Sequence, residues 1–70
     1  MNVMQLVTES INKQLPLLQG EALEHCNRWL QDPYCLEALR NELILNDFHN
    51  VEPILDTLQQ CLTWCYENEE

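Results

Sequence analysis

The sequence predicts an all-α protein of three to four short helices, packed as an antiparallel helical hairpin or a small bundle. Apolar residues recur at helical spacing along the chain, and no segment alternates apolar and polar residues as a strand does. One glycine and three prolines supply the only strong breaks, and short connections favour antiparallel neighbours. We expect residues 1–70 to form one domain that ends in an acidic tail at about residues 67–70.

The first half of the chain is expected to be helical, with an interruption at Pro16. Proline inside a helix removes a hydrogen bond and clashes with the preceding turn. Two interpretations fit, one helix kinked at Pro16 or two helices that meet there, and both predict a departure from a straight rod. The apolar stripe keeps its phase across Pro16 and Gly20. It consists of Val3, Met4, Val7, Ile11, Leu15, Leu18, Ala22, Cys26 and Trp29.

The segment LQDPYCLEAL contains the clearest helix boundary. Asp32 can cap the next helix through its carboxylate, and Pro33 suits the first helical position because its missing N–H is not needed there. This pattern predicts a third helix from Pro33 to about Asn46. Its expected core stripe consists of Cys35, Leu36, Leu39, Leu43 and Ile44.

The last helix is predicted to begin at Asn50 or Glu52, after a turn over residues 47–50, and to reach about Tyr66. Pro53 then falls in its first turn, where proline is tolerated. We expect both Cys61 and Cys65 to face the core. The predicted stripe is Val51, Leu55, Leu58, Leu62 and Cys65, flanked by Ile54 and Cys61.

The formal net charge of −9 comes from twelve Asp and Glu residues against three Lys and Arg residues. A nucleic-acid backbone or an anionic membrane would be repelled, so we expect no direct binding to either. A hydrophobic content of 46% argues against disorder. The first fifteen residues lack the basic start and continuous apolar run of a signal peptide, and we therefore expect a cytoplasmic protein whose cysteines stay reduced.

Cys61 and Cys65, four residues apart on a helix, can supply half of a zinc site. The candidates for the other two ligands are His25, Cys26, Cys35 and His49. Their spacing matches no compact ligand pair, so we predict structural cysteines, no metal and no cofactor. Because a helical chain of this length can hardly enclose a catalytic pocket, we also predict that the protein is not an enzyme.

Among the large apolar residues outside the predicted core stripes are Tyr34, Leu45 and Trp64. Trp64 lies about 140° around the last helix from its stripe, and the other two lie on the opposite face of the third helix. Scattered apolar side chains are common on any surface. The alternative is a patch that binds another chain through aromatic anchors. We predict a non-enzymatic protein-binding module, a chaperone, adaptor or regulatory subunit, that forms a homo- or hetero-oligomer with a helical or basic partner.

An acidic residue recurs at every fifth position in the middle of the chain, at Asp32, Glu37, Glu42, Asp47 and Glu52. On a helix this step is about 7.5 Å along the axis, which is close to the spacing of phosphates. The alternative function is therefore a DNA-mimicking inhibitor of a nucleic-acid-binding protein. The same step also turns the helix by about 140°, so the carboxylates would spiral and not line one face.

A helix that ends at Leu30 and Gln31, the Asp32-Pro33 turn and the apolar return segment resemble the small helical-hairpin co-chaperones of type III secretion needle subunits. The resemblance covers roughly residues 22–66 and rests on LQDP and the layout of the helices. It implies a cytoplasmic protein that pairs with a larger helical chaperone and keeps a secreted subunit from polymerising.

Overall fold

The computed structural model describes residues 2–45 and 50–68, and these residues contain four α-helices, one short 3-10 turn and no strand. The helices are α1 (Val3–Gln14), α2 (Gly20–Gln31), α3 (Leu36–Leu45) and α4 (Glu52–Glu67), and the 3-10 turn is Leu15–Leu17. The predicted all-α bundle is confirmed for this part of the chain. None of the described helices is long and apolar enough to cross a membrane.

The first half consists of two helices that meet near Pro16. α1 begins after Asn2, whose side-chain Oδ1 accepts a hydrogen bond from the backbone N–H of Gln5 at 3.1 Å. After the 3-10 turn, Leu18 has an extended backbone and Gly20 has a φ of +61°. Because this left-handed conformation is unfavourable for other residues, Gly20 allows the chain to change direction at the start of α2.

The start of α3 corrects the predicted boundary, since α3 begins at Leu36 and not at Pro33. Asp32 terminates α2, with its backbone N–H donating to the carbonyl of Arg28 at 3.1 Å, and the predicted cap is therefore wrong. The connection between the two helices is not helical, and the indole N–H of Trp29 donates to the carbonyl of Tyr34 there at 3.1 Å. This tertiary bond holds the connection against α2.

α4 begins at Glu52 with Pro53 in its first turn, as predicted, and ends at Glu67. The predicted end of the third helix at Asn46, most of the turn over residues 47–50 and the last two residues of the acidic tail at residues 67–70 lie outside the described residues.

α4 packs against both α1 and α3, and α2 packs against α3. α1 and α4 run antiparallel: Cys61 Sγ lies 3.9 Å from the carbonyl of Val3 at one end, and Gln14 Nε2 donates to the carbonyl of Asn50 at 3.1 Å at the other. All four helices contribute to one core. Its buried residues are Val7, Ile11, Leu18, Ala22, Cys26, Trp29, Leu36, Leu39, Leu43, Val51, Ile54, Leu58 and Cys61.

The buried line of α4 is rotated from the predicted stripe. Ile54 and Cys61 are fully buried, whereas Leu55 and Leu62 are half-buried and Cys65 is exposed. The prediction that both cysteines face the core is therefore wrong for Cys65. The rotation follows from α1, which covers the Ile54 and Cys61 side of α4.

Three further members of the predicted stripes also point to solvent. They are Met4, Cys35 and Ile44. Cys35 precedes the first residue of α3 because this helix starts later than predicted, so it is not part of the helical stripe.

Candidate partner-binding groove

An open groove separates α1 from α4 on one side of the bundle, with a volume of about 350 Å³. Helical steps of three and four residues place its lining side chains on the facing sides of the two helices. They are Leu6, Glu9, Ser10, Lys13, Pro53, Thr57, Gln60 and Cys61. Ser10 and Thr57 are small, and their hydroxyl oxygens lie 3.1 Å apart. The groove remains open because these side chains are too short to fill the space above them.

Two shallower depressions continue the groove. One, of about 410 Å³, lies along α4 around Trp64 and shares Gln60 with the groove. The other, of about 330 Å³, lies along α1 and shares Leu6 and Glu9 with it. The two depressions adjoin the groove through these shared residues, and we call the three together the α1/α4 groove. Leu6 and Trp64 are its large apolar side chains, with exposed fractions of 38% and 36%.

The charges that line the α1/α4 groove are few. Glu9 lies on the α1 side, Glu67 lies at the Trp64 end, and Lys13 lies at the Pro53 end. The other polar lining residues are amides and hydroxyls. The groove therefore combines two apolar side chains with two separate carboxylates and one cation, Lys13, which lies one helical turn from Glu9.

The predicted binding residues occupy different environments. Trp64 lines the α1/α4 groove, and Leu45, at the end of α3, is 83% exposed. Tyr34 packs against the core and does not line the groove, nor does Leu45. The Tyr34 hydroxyl donates to Glu42 Oε2 at 2.8 Å. Burial and this hydrogen bond raise the pKa of Tyr34 to about 12.

The α1 side of the groove was missed by the sequence reasoning. Its signal is a single leucine, Leu6, in an otherwise polar helix face that includes Asn2, Glu9 and Lys13. A lone leucine beside a core stripe is common on helices, so this pattern gains meaning only when α4 is placed next to it.

A polar cluster connects α2 with α3 on another part of the molecule. Glu42 Oε2 accepts the hydrogen bond from Tyr34, and it also lies 3.3 Å from Nδ1 of His25. Together with the bond from Trp29 to the Tyr34 carbonyl, this cluster holds the two helices and their connection in place. Glu42 is one of the five regularly spaced acids, and its half-buried carboxylate is engaged by Tyr34 and His25 of the same chain. Asp47 lies outside the described residues, so the structure displays only Asp32, Glu37 and Glu52 of that series as exposed acids.

The four cysteines are free thiols, and they differ in their exposure to solvent. Cys26 and Cys61 are buried, whereas Cys35 and Cys65 are exposed. Burial raises the pKa of Cys26 to about 11, and burial together with the nearby Cys65 raises the pKa of Cys61. Across residues 2–45 and 50–68, no three His, Cys, Asp or Glu side chains converge as a metal site requires. The candidate ligand His49 lies outside that part of the chain.

The fold and the groove define the class: a small all-α protein with an open, helix-lined surface. Comparison with known proteins finds no matching family model, no matching curated protein and no matching solved structure.

Proposed function

We propose that this chain is a non-enzymatic protein-binding module, a small acidic chaperone, adaptor or regulatory subunit that acts by holding another chain. The observation that carries the proposal is the position of Trp64, which lies partly exposed beside an open groove. Tryptophan is enriched among the residues that dominate binding energy, because its large surface can enter a pocket on a partner at a small cost in conformational entropy.

The size of the chain supports the same proposal. A 70-residue chain builds a small core, and a partner that shares apolar surface adds to its stability. Seven large hydrophobic side chains of the described residues remain exposed. They are Met4, Leu6, Leu17, Ile44, Leu45, Trp64 and Tyr66. Burial of part of this set against a second chain would contribute about 25 cal/mol per Å² of apolar area removed from water.

The charge of −9 supports a basic partner over an acidic one. Complementary charge accelerates encounter and excludes wrong partners, even where it adds little to final affinity. A helical, secreted subunit held by a co-chaperone is one specific form of this proposal, in keeping with the resemblance of the LQDP turn and the helix layout.

The test is affinity purification from the native cell with quantitative mass spectrometry, followed by affinity measurement on the purified partner. We expect Trp64→Ala and Leu45→Ala each to weaken binding by about 1–3 kcal/mol. Tyr66→Ala is the matched control, because Tyr66 is an exposed aromatic on the same helix that does not line the groove. Recovery of the same partners in undiminished amount with both variants would contradict the proposed binding residues.

A further inference from the structure

The α1/α4 groove has the length of a third helix. Its α4 side extends from Pro53 to Glu67, which is about 21 Å at about 1.5 Å per residue. Its α1 side runs antiparallel from Lys13 to Asn2 over a slightly shorter distance. A helix of about 14 residues spans this length. An amphipathic helix laid between two helices is a common way for a groove of this kind to be occupied.

The two hydroxyls in the middle of the groove can be covered without loss of their hydrogen bonds. The hydroxyls of Ser10 and Thr57 lie within hydrogen-bond distance of each other and of the Pro53 carbonyl, at 3.4 Å and 3.0 Å respectively. Burying a polar group is costly only when it loses its partners. A row of apolar side chains can therefore cover this part of the groove while Leu6 and Trp64 supply apolar contacts along it.

Charge selects among the possible occupants. A second copy of this chain would bring another net charge of −9 to the interface, and repulsion between the copies opposes that arrangement. A basic helix instead brings cations towards Glu9 on the α1 side and Glu67 beside Trp64, and it leaves the Pro53 end, where Lys13 lies, for an uncharged or acidic side chain.

We propose that the α1/α4 groove binds one basic amphipathic α-helix of a different protein. The apolar face of that helix covers Leu6 and Trp64, and its Lys or Arg side chains lie near Glu9 and Glu67. This inference rests on the proposed function, because it names the surface and the partner chemistry of a protein-binding module.

The test uses two synthetic peptides of about 14 residues with leucines at the same helical positions, one carrying lysines and the other glutamates elsewhere. The full chain is labelled with fluorinated tryptophan, so that fluorine NMR reports Trp29 and Trp64 separately. We expect the basic peptide to bind saturably and to shift the Trp64 resonance while leaving that of the buried Trp29 in place. The acidic peptide is expected not to bind.

Variants of the full chain locate the peptide. Leu6→Ala and Trp64→Ala are each expected to lower the affinity for the basic peptide about tenfold. This corresponds to a loss of about 1.4 kcal/mol, which is typical of a binding anchor. The matched controls are Met4→Ala on α1 and Tyr66→Ala on α4, which remove exposed apolar side chains outside the groove. Glu9→Lys should lower the affinity for the basic peptide and reduce the dependence of this affinity on salt concentration. Circular dichroism of each variant confirms that it is folded.

Each outcome decides the inference. Equal binding of both peptides, or binding that is unaffected by Leu6→Ala and Trp64→Ala, would overturn it. A concentration-dependent dimer with a shifted Trp64 resonance and no peptide binding would assign the groove to a second copy and would also overturn it. The proposed function is tested separately by the affinity purification. It is still supported if that experiment yields a partner whose binding depends on Leu45 or Trp64, even when the helix-binding inference is wrong.

Discussion

Trp29 and Tyr34 occupy the interface between α2 and α3, whereas Ser10, Thr57 and Cys61 line the one between α1 and α4. The large side chains fill the first interface, where the indole N–H of Trp29 donates to the backbone carbonyl of Tyr34 and the hydroxyl of Tyr34 donates to Glu42. The interior of the second interface is also closed by fully buried side chains, but the small side chains leave a groove along its outer edge. The difference shows that side-chain volume at the edge of a helix contact decides whether a groove for another chain remains there.

The largest expected effect comes from emptying the closed interface. Trp29→Ala removes a fully buried side chain and its hydrogen bond to the Tyr34 carbonyl, so we expect a loss of about 3–5 kcal/mol in the free energy of unfolding. Urea unfolding followed by far-ultraviolet circular dichroism measures the change. Trp64→Ala is the control, because Trp64 is partly exposed at the open interface and should cost far less. Similar losses in the two variants would remove the distinction between the interfaces.

The next largest loss of stability is expected from truncating the leucines by which α3 and α4 contribute to the core. Leu39→Ala and Leu58→Ala should each cost about 2–5 kcal/mol because both side chains are fully buried. Leu62→Ala should cost less, since Leu62 is only half-buried. Thermal melting compares the three variants directly. An equal loss at Leu62 would show that the last turns of α4 are more enclosed than the structure indicates.

A smaller effect is expected from the polar cluster of the closed interface. Tyr34→Phe removes the hydrogen bond to Glu42 and keeps the ring, so we expect a loss of about 1 kcal/mol in the free energy of unfolding. Tyr66→Phe is the matched control on an exposed tyrosine and should leave stability unchanged. Chemical denaturation of the two variants distinguishes the contribution of the hydrogen bond to stability from that of the aromatic ring.

The raised pKa of Tyr34 predicts that the free energy of unfolding depends on pH. Because the pKa of Tyr34 is raised to about 12 in the folded chain, the folded state retains a proton that the unfolded state releases at lower pH. The contribution of Tyr34 to stability is thus fully present below about pH 10 and is lost as the pH rises towards 12. The stability difference between wild type and Tyr34→Phe should shrink over this window. A constant difference would contradict the assigned pKa.

The last and smallest effect concerns the reactivity of the cysteine thiols and not the stability of the fold. Cys35 and Cys65 should react quickly with a thiol reagent, whereas Cys26 and Cys61 should react slowly because burial shields them and raises their pKa. A local opening free energy of only about 1.4 kcal/mol already slows labelling about tenfold. Mass spectrometry at increasing times gives the order. Early labelling of Cys61 would place it at the surface of the groove and not beneath it.

Much of the fold could be predicted from the sequence by itself. The apolar spacing predicted three to four helices, Pro16 predicted a kink or break in the first half, and Pro53 placed the start of the last helix at Asn50 or Glu52; the structure has four helices, with α4 starting at Glu52. The buried residues of α2 were also predictable, because Ala22, Cys26 and Trp29 form a single stripe at helical spacing. These features depend on local backbone chemistry and on the period of the helix, and both are written in neighbouring residues.

Tertiary structure alone decided the rest. Periodicity gives the angles between side chains on one helix, but it does not give the rotation of that helix against its neighbours. Contact with α1 turned α4 so that Cys61 is buried and Cys65 is exposed. α3 starts only at Leu36, after a connection that the bond from Trp29 to the Tyr34 carbonyl holds against α2. The groove that joins Leu6 to Trp64 exists because residues more than fifty positions apart meet there, and the volumes of distant side chains determine such a surface.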